Sequence, residues 1–227
     1  MVKAIFFDLT GTLQNFNWNK QWVLMNVVLN KTLKSKVDIE EFKKVYQQVY
    51  EIYRLGKIKN DNEFFDLVFR QLGWNVSNEQ LKKIAKQHLT IRKEFTWLPK
   101  DYDKVLKELK KDFKLALVSS CSRTWAEWDY EHIFGFNLKK HFDLVYTSQD
   151  SGHLKESGKL FDYAIKKLKL KRKEVAFVGD SYEGDVLTAK KYGMKSVFLS
   201  SKKGGKEDIR IKSFNELLKV KDKLEIL

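Results

Sequence analysis

The apolar positions of this chain fall into two textures. Near the start, the run "AIFF" (residues 4–7) is short and unbroken, and it stops at Asp8 and a Thr10-Gly11-Thr12 turn. An apolar run of that length closed by a turn signal reads as a buried strand. From about residue 100 the same kind of run recurs over Leu115–Ser119, Leu144–Thr147, Val175–Val178, Ser196–Leu199 and Asp208–Ile211, with helical patterns between. Short strands alternating with helices predict a parallel sheet covered by helices. Gly193, after "LTAKKY", reads as a helix C-cap, and "SFNE" (Ser213–Glu216) as a capping box opening the last helix.

The stretch from about residue 18 to 95 carries helical periodicity and no convincing strand. Val23, Val27 and Leu33 mark one expected helix face, and Phe42, Val45, Val49 and Ile52 another, while Ser77 with Gln80 reads as a capping box. The expected organisation is a helical domain, residues 14–97, inserted after the first strand of a core formed by 1–13 and 98–227. The single proline, Pro99, marks the return to the sheet. Open α/β sheets bind ligands at the carboxyl ends of their strands, so an insertion leaving there is placed to act as a lid, with hinges near Gln14 and Leu98. For Trp18, Trp22, Tyr46, Tyr50 and Tyr53, the helical spacing favours packing within the insertion over a ligand-facing stripe.

Composition narrows the partners. The chain has 227 residues, 43% of them hydrophobic, enough for one substantial core with a companion. A single cysteine, Cys121, excludes an intrachain disulfide and fits a reducing, cytoplasmic setting. The first residues do not read as a signal peptide, and no stretch reaches the roughly 18 apolar residues of a membrane helix. The net charge of +14 comes from 38 Lys against 6 Arg, and the lysines alternate with acids on helical segments such as "KVLKELKKDFK". That pattern describes solvated faces of the kind found in thermophile proteins more than a nucleic-acid footprint, while still favouring anionic substrates.

The chemistry concentrates at strand ends. Asp8, Ser119, Lys155 in "GHLK", and Asp180 and Asp185 in "GDSYEGD" all follow an expected strand. On one edge of a parallel sheet these groups converge. Clustered carboxylates repel unless a cation intervenes, and oxygen ligands without a His or Cys cluster point to Mg²⁺. With Lys155 and Ser119 added, the sum is a phosphoryl site. Gly11 suits a tight turn presenting backbone amides to phosphate. Ser120, Ser122 and Ser181 suit capping as well as catalysis, and Cys121 suits a small buried thiol.

"FFDLTGTL", "LALVSS", "GHLK" and "VGDSYEGD", in that order, resemble the four motifs of the haloacid dehalogenase superfamily. The resemblance implies a Rossmann-like α/β core with an inserted C1-type helical cap, and an enzyme acting on a small phosphorylated substrate as a monomer or homodimer. It implies Asp8 as the nucleophile that becomes an aspartyl phosphate, Thr12 as fixing the turn, and Ser119 as binding a phosphoryl oxygen. Lys155 would balance charge. Thr10, Gly11 and Ser120 would complete the substrate site, and Mg²⁺ would be held by Asp8, the Thr10 carbonyl and Asp180, supported by Asp185. Three positions depart from the family pattern: Thr10 stands where phosphatases carry a second Asp, Ser120 where an Asn is common, and Glu156 where a Pro is common. The missing Asp removes general acid–base help worth roughly 10²–10⁴-fold. The expectation is a Mg²⁺-dependent phosphohydrolase. The alternatives are a 2-haloacid dehalogenase, a phosphonoacetaldehyde hydrolase-like enzyme, or a weakly catalytic phosphate-ligand-binding relative.

Overall fold

The computed structural model describes residues 1–227. Its strands in chain order are β1 (Ala4–Phe7), β2 (Asn15–Phe16), β3 (Thr96–Trp97), β4 (Lys114–Ser119), β5 (Leu144–Thr147), β6 (Val175–Gly179), β7 (Lys195–Leu199) and β8 (Ile209–Ile211). Six of them form one sheet in the order β5-β4-β1-β6-β7-β8, every neighbouring pair parallel. The strands expected from the sequence are all present, the last shortened to three residues. Because β1 has β4 on one side and β6 on the other, the direction of winding reverses beside it. The carboxyl edge there is where an open sheet leaves a crevice.

Period-2 alternation sorts the strand residues onto two cores. Ile5, Phe7, Leu115, Leu117, Ala176 and Val178 face one layer of helices, while Ala4, Phe6, Ala116, Val118, Val175 and Phe177 face the other. Phe6 and Phe7 are wholly buried, each stabilising the fold by about 1.5–3 kcal/mol. The helix Lys159–Leu168 covers the second face through Leu160, Phe161, Ala164, Ile165 and Leu168.

Between β2 and β3 run four helices: α1 (Trp18–Leu33), α2 (Ile39–Tyr53), α3 (Asp61–Leu72) and α4 (Asn78–Phe95). They share a hydrophobic cluster of 16 buried residues. The Ser77–Gln80 capping box opens α4. Phe42 and Val49 of α2 are buried as the periodicity predicts, but α1 presents the opposite face. Its buried positions are Gln21, Met25, Leu29 and Thr32, whereas Val23 and Val27 lie exposed. A second β-branched stripe had masked the true seam. The "SFNE" box also differs: the Glu216 carboxylate accepts from Lys212 N at 2.8 Å instead of from Ser213, and a short 3₁₀ turn, Phe214–Leu218, follows in place of an α-helix. Gly193 takes φ +72°, the left-handed conformation of a helix terminator.

The two connections to the insertion pair with each other, Asn15 with Trp97 and Phe16 with Thr96, as an antiparallel ribbon. The insertion is docked on the sheet domain through α6 (Arg123–His132), the second helix after β3, whose Trp125 is built into the insertion's own hydrophobic cluster. Trp125 Nε1 donates to Asp61 at 2.8 Å, and Arg92 of α4 makes a bidentate pair with Asp129 that is almost wholly buried.

Candidate active site

Three strand ends supply the floor of one cavity. Asp8 follows β1, its backbone N–H donating to Val178 O at 2.9 Å, so the β1–β6 ladder fixes where the carboxylate emerges. Ser119 ends β4 and donates its hydroxyl to Asp8 Oδ1 at 2.9 Å. The ammonium of Lys155, also buried, lies 2.5 Å from the same oxygen and 2.5 Å from Asp185 Oδ1. Both of these hydrogen bonds fall on Asp8 Oδ1, and Asp8 lines the cavity.

Asp180 follows β6, and Asp185 sits one helical turn later in a wide segment, Tyr182–Leu187. There Val186 N bonds Ser181 O, an i→i+5 bond of the π type that recurs at functional sites. It brings the Asp185 carboxylate back to Lys155 on one side and to Ser181 N, at 2.9 Å, on the other. Two glycines make room for these acids. A Cβ on Gly11 would lie 2.2 Å from Asp180 Oδ2, and one on Gly179 the same distance from Asp185 Oδ2. Gly11 also has φ +84°, which non-glycine residues rarely adopt.

Oxygens of Asp8, Asp180 and Asp185 lie within 4.8 Å of one another. Their three negative charges face one lysine, so two remain uncompensated, the charge of a divalent cation. The cost is visible in the acids themselves. Burial, and then the Asp8 charge, push the Asp180 carboxyl up to about 6 and the Asp185 carboxyl up to about 7. Burial alone would lower the Lys155 ammonium; the two carboxylates beside it reverse that, and its pKa stands above the ordinary lysine value. The all-oxygen donor set fits Mg²⁺.

The sequence-predicted residues meet as expected at this edge. Asp8, Thr10, Ser119, Ser120, Lys155, Asp180 and Asp185 line one cavity. Ser120 Oγ accepts from Lys155 N at 2.8 Å, which makes it a brace for the lysine's backbone as well as part of the wall. Gly11 and Thr12 form the turn, where Leu9 O accepts from Leu13 N and Gln14 N, but neither lines this cavity, and Thr12 is wholly buried. Ser122 and Ser181 cap the segments after them. Cys121 borders the cavity, but burial pushes its thiol up to about 12, so it is not a nucleophile at neutral pH.

Sequence reasoning missed the roof. Tyr46 and Tyr53 are buried in the insertion's core and Trp22 and Tyr50 pack against it, as the helical spacing expects, but Trp18, Trp22, Tyr46 and Tyr50 also line the cavity. Phe16, Arg54, Arg92 and Trp125 line it too. One signal was available: only 6 of 44 basic residues are Arg, three of them, Arg54, Arg70 and Arg92, lie in the lysine-rich insertion, and two of those three border the cavity.

A family model for haloacid dehalogenase-like hydrolases matches residues 2–193, and the chain belongs to that family. It is 28% identical over 204 residues to the glyceraldehyde 3-phosphate phosphatase of Methanocaldococcus jannaschii, covering 87% of this chain and 84% of that protein. A HAD phosphatase from Thermococcus onnurineus superposes with a TM-score of 0.69 at 22% identity, over 96% of this chain and 97% of that one. The 2-haloacid dehalogenase of Pseudomonas syringae pv. Tomato DC3000 gives 0.72 at 17% identity, over 98% and 99%. Fold alone therefore does not separate the two chemistries. No helix is long and apolar enough to cross a membrane.

Proposed function

We propose that this hydrolase is a Mg²⁺-dependent phosphohydrolase that transfers the phosphoryl group of a small phosphorylated metabolite to Asp8 and then to water. The observation that carries the reading is the carboxylate triad with its single buried lysine, which leaves two negative charges to be met by a cation. Dehalogenation by attack on carbon requires no metal and gives no reason to keep Asp180 and Asp185 together at the site. The similarity to a phosphatase over most of both chains supports the same direction.

In this reading Asp8, the Thr10 carbonyl and Asp180 would hold Mg²⁺, supported by Asp185, and the ion would supply positive charge to the phosphoryl group. An oxygen of Asp8 forms a bond to phosphorus as the ester P–O bond breaks, giving an aspartyl phosphate and an alkoxide. Ser119 and Lys155 hold the carboxylate in line and balance charge on it and on the phosphoryl group. Water then cleaves the acyl phosphate and restores Asp8. The alkoxide needs a proton and the water needs a base, and Thr10 supplies neither at neutral pH. Residues 14–97 act as a cap over a core of 1–13 and 98–227, excluding bulk water from the floor.

The test is phosphate release from an aryl phosphomonoester. It should require Mg²⁺, stop in excess chelator and vanish in Asp8→Asn. Chloride released from a 2-haloacid at full rate in chelator would establish dehalogenation instead.

A further inference from the structure

We infer that the space above the carboxylate floor is built for a phosphomonoester whose leaving group carries a flat aromatic or heteroaromatic ring, an inference that rests on the phosphohydrolase reading for its phosphoryl end. The cavity has a volume of about 450 Å³, within the range of pockets that enclose drug-sized ligands. A phosphoryl group on Asp8 fills only the floor of it. What remains is bounded by six rings, Phe16, Trp18, Trp22, Tyr46, Tyr50 and Trp125, with polar side chains such as Gln14, Gln47 and Ser122 among them.

Those rings are the side of the insertion's packing that meets the cavity: Tyr46 and Trp125 are buried members of its hydrophobic cluster, and Trp22 and Tyr50 pack against it. Phe64, Phe65, Phe69 and Tyr53 are buried and make the helical core, and none of them borders the cavity. The cavity instead takes Phe16, Trp22 and Tyr50, which are only partly buried, and Trp18, which is 44% exposed. Tyr50 lies parallel to Trp125, centroids 5.3 Å apart at 10°, and Phe16 stacks on Trp18 at 5.1 Å and 29°. The Arg92 guanidinium bridges the two pairs, 4.8 Å from the Phe16 ring and 5.0 Å from that of Trp125. Its charge is matched by Asp129, so it offers no free cation to an anion.

The polar side chains on this wall are largely engaged already. Arg54 is held by Glu51 and by Ser120 O, the Gln47 amide donates to Glu51, and Gln14 and Arg92 donate to Asp129. A polyol leaving group would set several hydroxyls against rings, each unpaired group costing about 1–3 kcal/mol. A flat ring meets the same surface by stacking and loses nothing. The chemistry of the wall thus selects a ring over a sugar or a triose.

Calorimetric titration with non-hydrolysable phosphonates in Mg²⁺ tests this on the intact protein. Benzylphosphonate should bind at least about tenfold tighter than methylphosphonate through the ring area buried, and about three- to tenfold tighter than cyclohexylmethylphosphonate through ring–ring contact. Trp22→Ala and, separately, Tyr50→Leu should each remove most of the benzyl advantage and leave methylphosphonate affinity unchanged. Equal affinity for the benzyl and methyl ligands would overturn the ring inference while leaving the phosphoryl site intact. Equal affinity for benzyl and cyclohexylmethyl would overturn it as well, in favour of a merely apolar pocket. Failure of methylphosphonate and inorganic phosphate to bind would instead remove the phosphohydrolase reading, and the ring inference with it.

Discussion

The floor and the roof of the cavity are built on different principles. Asp8, Ser119 and Asp180 stand at the ends of strands fixed by ladder hydrogen bonds, and Lys155 and Asp185 follow in short helical turns after β5 and β6, so a few residues with short sequence signatures suffice. The roof is assembled from the linker at Phe16, from α1, α2 and α4, and from Trp125 of α6, and is held by side-chain packing and one buried ion pair. The floor is charged and buried, which pushes the Asp180 and Asp185 carboxyls up to about 6 and about 7. The roof is aromatic, and His88, buried behind it against the Tyr46 hydroxyl, has its pKa lowered by burial and by the Arg92 charge. In the proposed reading the difference separates chemistry from selection: the floor would break a P–O bond whatever the alcohol, and the roof would decide which alcohol fits.

The largest effect should come from the floor. Asp8→Asn removes the attacking oxygen and should lower kcat by about 10⁴-fold or more for every substrate alike. Steady-state assays on an aryl and an alkyl phosphate check it. A loss confined to one of the two would mean that Asp8 belongs to selection, and the division between floor and roof would fail.

Thr10 offers the next largest change, and a gain. Restoring a carboxylate by Thr10→Asp should speed breakdown of the phosphoenzyme within the roughly 10²–10⁴-fold range of a positioned acid–base group. Rapid-quench kinetics with an aryl phosphate should show a burst in the wild type and its loss in the variant. No burst and no gain would mean that another floor group already does the work of the missing acid.

The ion pair under the roof comes third. Asp129 accepts from Arg92 Nε at 3.1 Å and Nη2 at 2.5 Å, and from Gln14 Nε2 at 3.1 Å, tying α4, α6 and the linker together. Asp129→Ala leaves a buried guanidinium unpaired at a cost of about 3–5 kcal/mol, a fall in Tm on the order of 10 °C for a chain of this size. Arg92→Met combined with Asp129→Leu should recover most of it. A Tm unchanged by Asp129→Ala would show that the roof is not held by this pair.

The same contrast explains what could be read without a structure. The sheet, its strand order of chemistry and the residues Asp8, Ser119, Lys155, Asp180 and Asp185 were legible because strand ends on one edge must meet and because the signals are local: an apolar run, then an acid, a glycine or a lysine. The roof was not legible, because Trp125 lies 72 residues or more from the α2 rings it packs with, and helical periodicity says which residues are apolar together without saying which side meets a cavity. The α1 helix shows the ambiguity most plainly. Val23 and Val27 form a stripe as regular as the Met25–Leu29 seam that is buried, and only packing against α4 chooses between them.

The smallest predicted effect sets floor against roof by the sign of a pH dependence. Asp185 has its folded pKa raised from 3.8 to about 7, so in the metal-free protein its contribution is present at low pH and is lost as pH rises toward about 7. His88 has its folded pKa lowered below the ordinary 6.5, so its contribution is present above about 6.5 and is lost as pH falls below that value. Each slope is bounded by about 1.4 kcal/mol per pH unit, some 3–5 °C in Tm. In chelator, Asp185→Asn should therefore gain Tm relative to the wild type between pH 5 and 7, and His88→Gln should lose less Tm than the wild type as pH drops from 7 to 5. Added Mg²⁺ requires the ionised carboxylates, so its stabilisation should grow with pH in the wild type and shrink in Asp185→Asn, while His88→Gln leaves that growth intact. Parallel pH profiles for the two variants in chelator would show that floor and roof titrate as one unit, and the separation drawn between them would not hold.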